Sequence, residues 1–98
     1  MGAGGVIPPS KGYFDIIQPI LKQYNIPFIA DEVICGFGRT GNLWGSETYN
    51  INPDIIISSK CLTAGFFPMG AVIIKQEFAD DFIKISEEVD EFPHGFTS

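Results

Sequence analysis

Apolar residues first recur at helical spacing between Tyr13 and Tyr24, where Phe14, Ile17, Leu21 and Tyr24 fall on one face. Ser10 is placed to cap that helix, and Pro19 removes one backbone donor inside it, so a kink or an early stop is expected. Residues Ile26 to Val33 read as a strand, with Pro27 tolerated at its first positions. Gly36, Gly38, Gly41 and Gly45 then mark a long loop. Asp54 to Ser59 forms a second, nearly all-apolar strand pattern, and Gly70 to Lys75 a third. From Glu77 to Glu88 the pattern returns to helix, with Phe78, Phe82, Ile85 and Val89 on one face and acids on the other. The segments Gly2 to Pro9 and Phe92 to Ser98 carry turn residues and read as loops. Strands that are apolar runs, rather than alternating, belong to sheets covered by helices on both faces. The expected class is α/β.

Three strands make a narrow sheet, and a covered sheet needs neighbours on both edges. The pattern therefore predicts that residues 1–98 are a slice of a larger domain. At 98 residues, 45% hydrophobic and 18% charged, the chain has the balance of a folded interior, not of a disordered tail. A formal charge of −6 argues against a nucleic-acid binder, which needs a basic face. The first residues lack the basic and apolar regions of a secretory signal, and Val6 stands where a myristoylation pattern requires Ser or Thr. Apolar runs such as Ile55-Ile56-Ile57 are too short to span a bilayer, so no membrane partner is expected. Cys35 and Cys61, without a Cys-x-x-Cys pair or a nearby His, read as two reduced thiols and no metal site. A cytoplasmic location is the expectation, or a mitochondrial one if an upstream transit peptide has been lost.

Two residues stand out for chemistry. Asp31 follows Phe28-Ile29-Ala30 near the end of a strand expected to be buried, where a carboxylate is costly without a cationic partner or several donors. The simpler alternative is an Asp bonded to a nearby backbone amide. Lys60 ends the run Ile55-Ile56-Ile57-Ser58-Ser59, and ligand-handling groups in open α/β sheets gather just beyond the carboxyl ends of strands. An amine partly desolvated there becomes a usable nucleophile, whereas the simpler alternative is a Lys snorkelling out of the strand end. The early glycines make no dinucleotide fingerprint, because Ile7 occupies the third glycine position. Arg39, Trp44 and His94 read as a structural ion-pair partner, local packing and a loop histidine.

In order along the chain stand Gly2-Ala3-Gly4-Gly5-Val6-Ile7-Pro8-Pro9, Ala30-Asp31-Glu32-Val33-Ile34, Gly36-Phe37-Gly38-Arg39-Thr40-Gly41, Ser59-Lys60-Cys61-Leu62-Thr63-Ala64-Gly65 and His94-Gly95-Phe96-Thr97. This series resembles the class III aminotransferases, pyridoxal 5'-phosphate (PLP) enzymes of fold type I. Within them it looks most like the branch that uses pyruvate as acceptor for ω-amino acids or amines. The resemblance implies that Asp31 pairs with the pyridine nitrogen of PLP, which supplies the cationic partner a buried carboxylate needs. It implies that Val33 packs on one face of the ring, sharing Asp31's side of the strand by period-two alternation. Lys60 matches the Schiff-base lysine that also moves the proton, and Thr97 matches the threonine that binds the PLP phosphate across a dimer interface. Cys61 stands where many relatives have Gly, and Glu32, Arg39, Trp44 and His94 carry over no catalytic role.

The resemblance implies that Met1 aligns with the interior of the family's large domain, so that residues 1–98 would be a central slice of a domain with a covered, mostly parallel sheet. The upstream phosphate-gripping loop and ring-stacking aromatic, and the carboxyl-terminal small domain, are thus expected to lie outside these 98 residues. The implied activity is transfer of an amino group from an amine or ω-amino acid to an α-keto acid such as pyruvate, in a homodimer. The alternatives are a catalytically inert truncated fragment and a small α/β binding module.

Overall fold

The computed structural model describes residues 4–89; Thr97, His94 and the side chain of Val89 lie outside the described residues. In chain order the elements are α1 (Tyr13–Gln23), β1 (Ile29–Asp31), α2 (Gly45–Thr48), β2 (Ile55–Ser58), a 3-10 turn (Lys60–Thr63), β3 (Ala71–Ile74) and α3 (Gln76–Val89). The class is α/β, as the alternating pattern predicts. The sheet has the order β1-β2-β3 and is mixed, with β1 parallel to β2 and β2 antiparallel to β3.

Several elements differ in detail from the sequence expectation. Helix α1 starts after Gly12, which sits in the left-handed region at φ 81, and no side chain caps it. Ser10 contributes only its carbonyl, which accepts the Tyr13 N–H at 3.1 Å. Pro19 does not stop the helix, which continues to Gln23. It ends instead at Asn25, whose φ of 52 turns the chain out of the helix. The N–H groups of Asn25 and Ile26 return to the carbonyls of Lys22 and Leu21, and so satisfy two of the last orphan acceptors.

Strand β1 is shorter than expected because the chain turns immediately after Asp31, while Glu32 N–H still donates to the Ile57 carbonyl at 2.8 Å. Helix α2 lies inside the glycine-rich segment read as loop, where Gly45-Ser46-Glu47-Thr48 shows no apolar period.

Helix α1 packs through Phe14, whose ring meets Phe28 at 6.1 Å and Tyr49 at 5.8 Å. Gln18 ties the same helix to the segment before β2. Its amide nitrogen donates to the Asn50 carbonyl at 3.1 Å, and its amide oxygen accepts the Asn52 N–H at 2.9 Å. Tyr24, expected on the packed face, is exposed, as are Phe82 and Ile85 of α3.

The two faces of the sheet differ. Register and alternation place Ile29, Asp31, Ile57 and Val72 on one face, and Ile29, Asp31 and Val72 there are exposed. On the opposite face Ser58 is 1% exposed, with its hydroxyl lacking a partner among the described residues. The covering on both faces that apolar strands call for is absent among the described residues. No described hydrophobic residue is fully buried.

Candidate active site

The parallel register sets Asp31 opposite Ile57, three residues before Lys60. Asp31 is the last residue of β1, and Lys60 opens the turn that follows β2 after Ser59. The carboxylate and the amine therefore sit at the carboxyl ends of two adjacent parallel strands, where ligand sites of open α/β sheets form.

Each is presented by a tightly held turn. Asp31 Oδ1 accepts the N–H of Val33 at 3.1 Å, the side-chain bond to a backbone amide two residues on that Asp favours in turns. Val33 is thus related to Asp31 by this turn and not by strand alternation, because β1 has already ended. Beyond β2, Ser59 leaves strand geometry at φ −157, ψ −125, and its hydroxyl donates to the Met69 carbonyl at 2.9 Å. Ala64 and Gly65, both at positive φ, end the turn, and the Thr63 hydroxyl donates to the Phe67 carbonyl at 2.5 Å. Arg39 reaches from the glycine loop to donate its Nε–H to Cys61 Sγ at 3.1 Å. The loop arginine accordingly bonds a sulfur beside Lys60, not a carboxylate.

Asp31 and Lys60 are both exposed, against the burial that the sequence pattern suggested for them. The physical reason is the open sheet face on which Asp31 lies. Neither makes an ion pair among the described residues. The residue types still suit PLP: at one strand end a carboxylate for a ring N–H, and at the adjacent strand end a primary amine for an aldehyde, neither in an ion pair among the described residues. A cavity of about 550 Å³ runs along β1 and includes Tyr13, Phe28, Asp31 and Tyr49, but neither Lys60 nor Val33 lines it.

Among the described residues the buried carboxylate is Glu32, 3% exposed, to which the sequence pattern assigns no role. Its Oε2 accepts the Gly45 N–H at 2.9 Å, and its Oε1 accepts the Ser46 N–H at 2.6 Å and the Ser46 hydroxyl at 2.5 Å. Two glycines make room for this arrangement. A Cβ on Gly45 would lie 2.9 Å from Cys35 Cβ and 3.0 Å from Glu32 Oε2. One on Gly36 would lie 2.9 Å from the Glu32 carbonyl and 3.0 Å from the Trp44 ring. The signal available in the sequence was the carboxylate pair itself. Two adjacent acids at the end of an apolar strand point to opposite sides, so one of them must turn inward. Burial, then the nearby Glu32 charge, pushes the Cys35 thiol above its ordinary range, which keeps it protonated at neutral pH.

The family described as aminotransferase class-III matches residues 1–97. Gamma aminobutyrate transaminase 3, chloroplastic, of Solanum lycopersicum is 54% identical over 97 residues, covering 99% of this chain and 19% of the relative. A PLP-bound aminotransferase mutant from Vibrio fluvialis superposes with a TM-score of 0.91 at 66% identity, over 99% of this chain and 22% of that one. An omega-aminotransferase from Paracoccus denitrificans superposes with a TM-score of 0.90 at 67% identity, again over 99% and 22%. The chain thus spans about a fifth of the length of these relatives.

Proposed function

The chain belongs to the class III aminotransferases, and we propose that it forms the central slice of the cofactor-binding large domain of a transaminase. The observation that carries this reading is the parallel register of β1 and β2, which brings Asp31 and Lys60 to adjacent strand ends. When bound, PLP supplies an aldehyde that takes up an amino group and a protonated pyridine ring that withdraws electrons from the reacting carbon.

This chain's residues divide the remaining work. The Asp31 carboxylate accepts the ring N–H and holds that proton in place, because an anion at hydrogen-bond distance raises the basicity of the nitrogen. Lys60 Nζ is the amine that would hold the cofactor through its aldehyde, and when free it would serve as the acid–base group that moves a proton at the substrate carbon. Val33, whose N–H already fixes the Asp31 side chain, packs on one ring face. Thr97, outside the described residues, is the residue that would bind the cofactor phosphate across a dimer interface, so a homodimer is the working unit of this reading. The amino donor is an amine or ω-amino acid and the acceptor an α-keto acid such as pyruvate. The names of the similar proteins, a gamma aminobutyrate transaminase and an omega-aminotransferase, support that class of donor.

The exposure of Asp31 and Lys60 favours a second statement about the 98 residues taken alone: they are catalytically inert. A site that excludes water needs cover that the described residues do not supply.

Two variants of the full-length protein test the main reading. Lys60→Ala is expected to remove the visible absorbance of lysine-bound cofactor and to abolish turnover while the fold persists. Asp31→Asn is expected to keep that absorbance and to slow turnover by about a hundredfold or more, the scale of a lost proton-holding group. Near-normal turnover in either variant refutes the role given to that residue.

A further inference from the structure

We infer that Glu32 is a positioning residue of the site, setting the direction of the Asp31 carboxylate by anchoring the chain one residue beyond it. The inference rests on the reading of Asp31 above and goes further, to a side chain with no assigned part. Glu32 is held from both ends. Its N–H donates to the Ile57 carbonyl at 2.8 Å and its own carbonyl accepts the Gly36 N–H at 2.9 Å. Its carboxylate meanwhile takes three donors from Gly45 and Ser46. Among the described residues no cation accompanies this buried anion, so oriented backbone dipoles and one hydroxyl hold it. An anion kept in place at that cost constrains the backbone that carries it.

Glu32 N–H still makes the last ladder bond to the Ile57 carbonyl, so Asp31 and Glu32, unlike Val33 beyond the turn, keep the opposite directions of consecutive strand residues. Drawing Glu32 into the loop between Gly36 and Gly45 therefore turns Asp31 outward, onto the open face of the sheet. The close fit of Gly45, with no room for a Cβ beside Glu32 Oε2, makes the anchor stiff. Without it, the Val33 N–H contact to Asp31 is the only side-chain bond left on this turn among the described residues. The Asp31 carboxylate then samples several directions, and the ring nitrogen loses a fixed partner.

The test uses the full-length protein prepared free of cofactor. The dissociation constant of PLP and the pH dependence of its visible band are measured by titration for Glu32→Gln, Ser46→Ala, Asp31→Asn and the double variants. Glu32→Gln is expected to weaken binding about tenfold, the scale found when a group that orients a ligand's direct partner is lost. It should also shift the pH dependence of the band in the same direction as Asp31→Asn. Ser46→Ala, which removes one donor of three, should act the same way with smaller effect, and it carries the test if Glu32→Gln does not fold. In the Asp31→Asn background neither change should move the band further, since a positioning role has then nothing to position. A Glu32→Gln protein with a lower melting temperature but an unchanged dissociation constant and pH profile overturns the inference. Full additivity with Asp31→Asn overturns it too. If Asp31→Asn alone leaves the band and its pH dependence untouched, the reading of Asp31 itself has failed, and that result is separable from the Glu32 comparison.

Discussion

Asp54 concentrates four contacts at the entrance to β2, the first being its own N–H to the Phe28 carbonyl at 2.8 Å. Its Oδ2 accepts the Phe28 N–H at 2.8 Å, its Oδ1 pairs with Lys75 Nζ at 2.7 Å, and its carbonyl accepts the Lys75 N–H at 3.0 Å. Burial opposes ionisation here, but the Lys75 ammonium and the Phe28 amide outweigh it and hold the carboxyl below its ordinary value. A depressed folded-state pKa adds stability that is present above the unfolded value and lost as pH falls through the folded one. In the intact protein, Asp54→Asn keeps the Phe28 bond and removes the charge. It should lower the melting temperature at neutral pH by a small amount that shrinks with added salt, because the lysine is partly solvated. The difference should shrink as pH falls below the ordinary aspartate value of about 3.9 and vanish only once pH has passed the lower folded-state value. A difference that persists unchanged into acid would contradict the pairing. The same scale shows why Asp31 and Glu32 were only half legible. Their position at a strand end marks both as unusual, but which one turns inward depends on Gly45 and Ser46, thirteen and fourteen residues away. Local pattern contains no information about that partner.

Elements were legible wherever a long apolar period or run existed. Helices α1 and α3 and strands β2 and β3 follow their patterns closely in extent, although the apolar faces those patterns mark are not fully buried among the described residues. The boundaries moved where single hydrogen bonds decided them: the Asp31 turn truncated β1, and the Asn25 turn, not Pro19, ended α1. Helix α2 was invisible because its four residues carry no apolar stripe and are held by polar contacts to Glu32. The polar attachment of α1 to the segment before β2 runs through Gln18. Gln18→Ala should cost about 1 kcal/mol in the intact protein, because two hydrogen bonds to exposed backbone groups are exchanged for water. Gln23→Ala, on the same helix without a side-chain bond among the described residues, serves as the control and should sit near zero. Equal losses in the two variants would mean that the Gln18 bridge contributes nothing.

Among the described residues the elements enclose no closed interior. The radius of gyration is 15.4 Å, against about 12.6 Å for a compact domain of this length. Large apolar side chains remain open around the site end of the sheet: Phe66 is 93% exposed, Phe67 62% and Val72 61%. Burial of such groups is the main favourable term in folding, and a chain that leaves them in water has little to set against the entropy of ordering its backbone. The edge of β1 away from β2 is also unpaired among the described residues, a template for association with other chains. The 98 residues expressed alone are therefore expected to aggregate, or to show a broad, non-cooperative thermal transition. Titrated with PLP, they should develop no absorbance band that depends on Lys60 beyond that of a free lysine. Two measurements decide the point: calorimetry of the soluble fraction, and the spectrum of the chain against its Lys60→Ala variant. A sharp transition together with a Lys60-dependent band would show that the open sheet face already forms a working half-site. The exposed phenylalanines would then have to be stabilised by self-association, which sedimentation would reveal as a concentration-dependent mass.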